Sequence, residues 1–292
     1  MGYLDTLLPQ PGASGLDSAH VTLDREGWDM ATASVALDAA TEILMPSSEN
    51  EAIAAFGDGT DVVVVGGGTI VVPEMTYRRL RPANALMLGR AGMAGIAKDG
   101  SRVTIGATTP VEELVGMPAP LGPCASNIAD IEIRSQGTVG GNICAGTGNE
   151  APRGDLQGAF LALGATVRSA GNGGITDEPL EDFLPKRHER LLLDVSFDEP
   201  AAGAFAGLDR PHTHDYTALA VSGARSADGT IRLAATGAGS HGVRLPSAEG
   251  GDADAALQDV TPHDDALASA WYRAKVLPVL VRRVLAELKV SA

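Results

Sequence analysis

The chain has 292 residues, with Lys+Arg 22 against Asp+Glu 37 for a formal net charge of −15, and 44% of its residues are hydrophobic. That length calls for one large or two small domains with a sizeable core, and no apolar run approaches the roughly 18 residues of a membrane span. The negative charge excludes binding driven by a nucleic-acid backbone. The two cysteines, Cys124 and Cys144, are too few for a disulfide framework, a four-thiolate zinc site or an iron–sulfur cluster, and they fit a reducing cytoplasm. Met1 to Gln10 has neither a basic region nor an apolar stretch of about seven residues, so no export signal is expected there.

Residues 1–40 hold Pro9, Pro11, Gly12 and Gly15 with no sustained period and read as an N-terminal extension. From Glu42 the pattern sharpens. Glu42 to Met45 is a short apolar run closed by Pro46, and Ser47 or Ser48 can cap a helix through Phe56. Asp61 to Val65 is a β-branched strand stopped by Gly66-Gly67-Gly68-Thr69. Ala85–Leu88 and Arg102–Ala107 are expected strands, and Val111–Val115 and Cys124–Asp130 expected helices. The glycine run Gly137-Thr138-Val139-Gly140-Gly141-Asn142 follows. Leu156–Leu163 reads as a helix, and Ala165–Ser169 pairs with Ile175-Thr176 across a glycine turn. A boundary is expected near Leu184 to Glu189. Beyond it Leu191–Phe197, Thr217–Ala224 and Thr230–Ala235 suggest a small antiparallel sheet, with helices at Asp252–Asp259 and Asp265–Leu288, the second bent or divided at Pro278.

Three glycine-rich sites could approach a phosphate. Gly237-Ala238-Gly239-Ser240-His241-Gly242 matches G-x-G-x-x-G, but Val243 to Pro246 follows in place of a helix, so its amides have no helix N-terminus to converge from. Gly66 to Thr69 and Thr138 to Asn142 can each form a tight loop whose amides point one way, a nest that binds phosphate oxygens without a cation. The lysines are Lys98, Lys186, Lys275 and Lys289, none near either loop, so amides and the Thr69 and Thr138 hydroxyls are the expected ligands. Each cluster can also be a plain tight turn.

Val64-Val65-Gly66-Gly67-Gly68-Thr69, Ile128-Ala129-Asp130, Ile133-Arg134-x-x-Gly137-Thr138-Val139-Gly140-Gly141-Asn142-Ile143, and Gly154-Asp155-Leu156 with Leu161 to Ala165 resemble, in this order, the FAD-binding medium subunit of the molybdenum hydroxylases. That family includes the carbon monoxide and xanthine dehydrogenase types. The resemblance runs from about Glu42 to the C-terminus. It implies an α+β protein with the vanillyl-alcohol-oxidase (PCMH) type FAD-binding fold. Two α/β subdomains, about 41–100 and 101–185, would clasp FAD, and an α+β domain over 186–292, a small antiparallel sheet with helices, would cover the flavin. By the same resemblance Val64, Val65, Gly66, Gly67, Gly68, Thr69, Ile70 and Val71, with Gly137, Thr138, Val139, Gly140, Gly141 and Asn142, would contact the cofactor. Asp155 would hydrogen-bond it, and Ile128 and Leu192 would pack by the ring. Ile70 stands where relatives commonly carry a polar residue, the Ile143–Gly154 segment is longer than theirs, and Gly203–Gly207 lacks a lysine found in some of them.

The implied function is electron transfer in a heteromer: molybdopterin on a large subunit, two-iron two-sulfur clusters on a small subunit, and FAD on this chain delivering electrons to an acceptor. Two other readings stay open, a reductase of the same fold resembling the enzyme that reduces enolpyruvyl-UDP-N-acetylglucosamine, and a scaffold that has lost flavin. The lysine scarcity speaks against the first; Ile70 and the lengthened segment motivate the second. His212-x-His214 with Asp215 is expected to be a polar loop and not a metal site. Each cysteine is expected to be a small buried residue. Glu132 and Arg134 form a candidate local ion pair, and no G-x-S-x-G nucleophile elbow occurs.

Overall fold

The computed structural model describes residues 41–146, 154–212 and 215–290. The expected N-terminal extension, residues 147–153 of the lengthened segment, and His214 lie outside them.

The first unit is parallel. Glu42–Leu44 forms β1, Glu49–Phe56 α1, Val62–Val65 β2, Val71–Thr76 α2 and Asn84–Met87 β3. The cap falls where expected: Ser48 Oγ accepts from the Glu51 N–H at 3.2 Å. The order β1-β3-β2 puts β3 in the middle, which is why Ala85 and Leu86 are buried.

A second sheet follows. Ile96–Asp99 is β4 and Arg102–Gly106 β5; then come α3 (Leu121–Ser126), α4 (Ile131–Gln136), α5 (Val139–Ile143) and α6 (Leu156–Ala162). Thr166–Gly171 and Gly174–Pro179 form the expected hairpin β6–β7, followed by α7 (Leu180–Phe183) and β8 (Leu191–Asp198). The order is β4-β5-β8-β6-β7, every pair antiparallel. Leu191–Phe197, expected in the C-terminal sheet, therefore lies at the centre of this one. It pairs with β5 on one edge and β6 on the other, and Leu191, Leu192, Leu193, Val195 and Phe197 are all buried. Arg168 of β6 ties the sheet to α1, pairing with Asp194 at 2.6 Å and with Glu49 at 2.8 Å.

The third sheet is β12-β11-β10-β9, with β9 at Ala202–Gly207, β10 at Ala220–Arg225, β11 at Ile231–Thr236 and β12 at Val243–Arg244. The strand expected from Thr217 starts only at Ala220, and the helix expected at Asp252–Asp259 is a 3-10 turn over Ala253–Gln258. Helix α8 runs Ala270–Val290, so residues 265–269 are not helical: the Asp265 carboxylate accepts from Leu267 and Ala268 N–H and takes Arg273 at 2.5 Å. Pro278 does not divide α8. Burying Leu277, Leu280, Val281, Val284, Leu285 and Leu288 at about 1.5–3 kcal/mol each outweighs the roughly 3 kcal/mol of an interior proline.

Two apolar cores result, one under the first two sheets and one between the third sheet and α8. They meet through glycines: a β-carbon on Gly203 of β9 would lie 1.8 Å from the Ala119 carbonyl oxygen, and one on Gly207 3.2 Å from Asn127 Nδ2.

Candidate FAD site

The glycines after β2 are required for different reasons. Gly68 has φ 75, the left-handed region. Gly66 and Gly67 are held by space: a β-carbon at 66 would sit 2.4 Å from Thr138 Oγ1, and one at 67 only 1.7 Å from the Gln136 carbonyl oxygen. The two glycine runs, 72 residues apart at Gly66 and Thr138, thus touch backbone to backbone. Gly137 closes the contact, its missing β-carbon 3.6 Å from Thr69 Oγ1.

Their amides have different fates. Among the described residues no protein acceptor meets the N–H groups of Gly66 through Ile70, which gather ahead of α2. The second run is no open loop but the start of α5. Thr138 is its cap and accepts from Gly141 N–H at 3.1 Å; Val139 N–H donates to Thr109 O and Gly140 N–H to Ala107 O, each at 2.8 Å. The expectation of two equivalent nests is therefore corrected. The second run spends its amides on β5's exit and brackets the first. Sequence reading missed Ala107 and Thr109, since an alanine carbonyl and a wholly buried threonine carry no motif.

Ala107 also fixes β8, its N–H donating to Leu193 O at 2.9 Å. Leu192, expected by the ring from a C-terminal sheet, is buried on β8 instead, in register with Ser169 of β6. Asn142 Oδ1 accepts from Leu156 N–H at 2.9 Å and so caps α6. Asp155 is buried at the start of α6, where its carbonyl accepts from Cys124 Sγ at 3.4 Å. Ile128 is buried just before α4, and its carbonyl accepts from Arg134 Nη1 at 3.0 Å. Val65 is buried at the end of β2, Val64 packs against the core and Val71 opens α2. Ile70 is half-buried beside the open amides.

Three cations of the chain are paired with carboxylates. Arg134 pairs with Glu112 at 2.6 Å, not with Glu132, and Lys98 and Lys186 pair with Glu199 and Glu178. Burial pushes the Cys144 thiol up to about 12 and the Cys124 thiol well above its usual range, with the Asp155 charge a second cause for Cys124. Neither is a nucleophile at neutral pH. Among the described residues no group of three His, Cys, Asp or Glu could hold a metal ion. The G-x-G-x-x-G string is occupied as well: Gly242 N–H donates to Gln157 Oε1 at 2.6 Å, and Gln157 Nε2 donates to Ile143 O at 2.7 Å.

A family model, the FAD binding domain in molybdopterin dehydrogenase, matches residues 29–197. The chain belongs to this family. It is an oxidoreductase subunit, and FAD is its cofactor. The match starts at residue 29, ahead of Glu42, where the motif resemblance begins, and ends within β8. The chain is 26% identical to 6-hydroxypseudooxynicotine dehydrogenase complex subunit alpha of Paenarthrobacter nicotinovorans, over 84% of this chain and 93% of that one. It is 27% identical to the carbon monoxide dehydrogenase medium chain of Hydrogenophaga pseudoflava, over 82% and 94%. Among solved structures, carbon monoxide dehydrogenase from H. pseudoflava lacking the Mo-pyranopterin moiety of its cofactor matches with TM-score 0.76 and 26% identity, covering 87% of this chain and 98% of that chain. Quinoline 2-oxidoreductase from Pseudomonas putida 86, at TM-score 0.72 and 19% identity over 86% and 98%, shares the fold. The α+β FAD-binding fold is thus that of the family, and among the described residues no helix is long and apolar enough to cross a membrane.

Proposed function

We propose that this chain is the FAD-carrying electron-transfer subunit of a heteromeric molybdenum hydroxylase, taking electrons from iron–sulfur clusters on a small partner subunit and releasing them to an external acceptor. A large molybdopterin subunit completes the complex, and the cytoplasm is its compartment. The observation that carries this reading is the row of open amides from Gly66 to Ile70 in a cradle that a β-carbon at 66 or 67 would fill. A diphosphate suits that donor set, because amides and the Thr69 hydroxyl supply hydrogen bonds without a cation.

When bound, FAD supplies a centre that takes and gives up electrons one or two at a time. The residues divide the remaining work. Gly66 to Ile70 hold the diphosphate, and Val64, Val65 and Val71 fix the ends of that loop in β2 and α2. Gly137 to Asn142 bracket it, with their amides turned inward. Asp155 bonds the cofactor from the head of α6, while Ile128 and Leu192 present apolar surface to the ring and keep water from it.

The test is native purification followed by a visible spectrum and metal analysis. About one FAD per chain, no iron or molybdenum on the isolated chain, and a co-purifying iron–sulfur subunit are expected. A flavin-free chain, or full substrate activity from the chain alone, overturns the reading.

A further inference from the structure

The turn between α3 and α4 is held more firmly than its length requires. Ala129 has φ 40, a left-handed conformation that strains a residue with a β-carbon. Its carbonyl oxygen accepts from two guanidinium groups, that of Arg134 five residues on, through Nη1 at 3.3 Å, and that of Arg210, distant in sequence, through Nη2 at 3.2 Å. Arg210 is also anchored by Nη1 on Asp215 O at 3.2 Å. Two residues before Ala129, Asn127 Nδ2 donates to Thr217 Oγ1 at 2.6 Å, and Thr217 is buried. One residue after it, the Asp130 carboxylate accepts from Ile133 N–H at 2.8 Å and caps α4. Arg210 and Thr217 stand between β9 and β10, so half of this grip comes from the unit that packs on α8.

Strain in a single residue persists only where its surroundings over-determine it. Capping by Asp130 and the bond from Arg134 are local to α4 and would serve an ordinary helix start. The bonds from Arg210 and Thr217 are not local; they make the position of residues 127–130 depend on the C-terminal unit. Ile128 lies inside that stretch.

We propose that Arg210 and Thr217 are positioning residues that hold the strained 127–130 turn and thereby set Ile128 against the flavin ring. The proposal rests on the FAD reading above, in which Ile128 packs by the ring. It gives the C-terminal unit a part in tuning the flavin through the 127–130 turn.

The full chain is purified with FAD as Arg210→Gln, Thr217→Val and Thr217→Ser, the last keeping the accepting hydroxyl. All three are expected to retain the wild-type flavin-to-protein ratio and circular dichroism. In Arg210→Gln and Thr217→Val, iodide should quench the bound flavin more steeply and the visible band should lose fine structure, whereas Thr217→Ser behaves as wild type. Amide exchange at 128–133 should rise about tenfold in the first two, the loss of one strong hydrogen bond. Unchanged exchange overturns the proposal, since the turn then needs no strap. Faster exchange with an unchanged flavin signature overturns it too, since the turn then does not place the ring. Flavin loss with unchanged circular dichroism overturns it as well, because the turn would then retain the cofactor and not orient it. A wild-type chain that takes up no FAD sinks the FAD reading before any variant is made, and the exchange measurement still decides whether Arg210 and Thr217 hold the turn.

Discussion

Gly67→Ala should strip the cofactor while leaving the glycine's own conformation allowed, because position 67 is limited by space and not by φ. The added β-carbon would stand 1.7 Å from the Gln136 carbonyl oxygen and 2.9 Å from Gly137 Cα, where ordinary contact begins near 3.4 Å, so the two backbones must part by roughly 1.7 Å. Both atoms met are backbone, and Gly137 N–H is bound to Ile133 O at 2.6 Å, so the second run resists moving. The first loop moves instead. An amide displaced that far from an oxygen about 2.9 Å away no longer makes a hydrogen bond. Losing two such bonds to a charged group, at about 1.5–3 kcal/mol each, weakens FAD binding by roughly two to four orders of magnitude. The assay is titration of the flavin-free chain with FAD, followed by flavin fluorescence, beside Gly89→Ala, whose β-carbon meets open space. Melting temperatures separate a displaced loop from an unfolded chain. A dissociation constant for Gly67→Ala within about threefold of Gly89→Ala, roughly 0.65 kcal/mol, would refute the reasoning.

Thr138→Val removes the acceptor for Gly141 N–H and should cost about 1 kcal/mol of stability by denaturant melts, with Thr138→Ser near wild type. Gly242→Val should destabilise by about 1–3 kcal/mol through overpacking, since its β-carbon would lie 2.8 Å from Gln157 Cβ; a wild-type melting curve would contradict this. Arg168's hydrogen bonds hold the Glu49 carboxyl below its ordinary value of 4.5. Its contribution is therefore complete above pH 4.5 and lost as pH falls through the lower folded-state value. Glu49→Gln should be less stable than wild type at pH 7, with the gap closing toward pH 3 in urea melts; a gap that does not change with pH contradicts the pairing.

Local chemistry made much of the fold legible. The Ser48 cap, the β-branched run into Gly66 and the Gly171–Gly174 turn each specify structure within a few residues, and the elements formed there. Partner choice between strands was not legible in the same way. Leu191–Phe197 reads as a strand in any sheet, and only the registers with β5 and β6 make it central. In the site, the glycine runs were visible, but their roles were not. Whether an amide faces a ligand or a carbonyl depends on what lies opposite, and Ala107 and Thr109 lie opposite the second run through tertiary contact. Arg210 and Thr217 were invisible for the same reason.

A diphosphate held by amides should respond to salt in the opposite sense to one held by lysines. The chain carries a net charge of −15, and Lys98 and Lys186 are already paired with Glu199 and Glu178. The net charge of the whole chain therefore opposes an approaching dianion. Raising ionic strength from about 0.01 M to 0.15 M shortens the Debye length from roughly 30 Å to 8 Å, which screens that repulsion while leaving contact hydrogen bonds from Gly66 to Ile70 in place. FAD should therefore associate faster in added salt, and its dissociation constant should hold steady or fall. Stopped-flow fluorescence across that range measures both quantities. Binding that weakens steeply with salt would mean that cations carry the phosphate, and the amide cradle would then not be the diphosphate site.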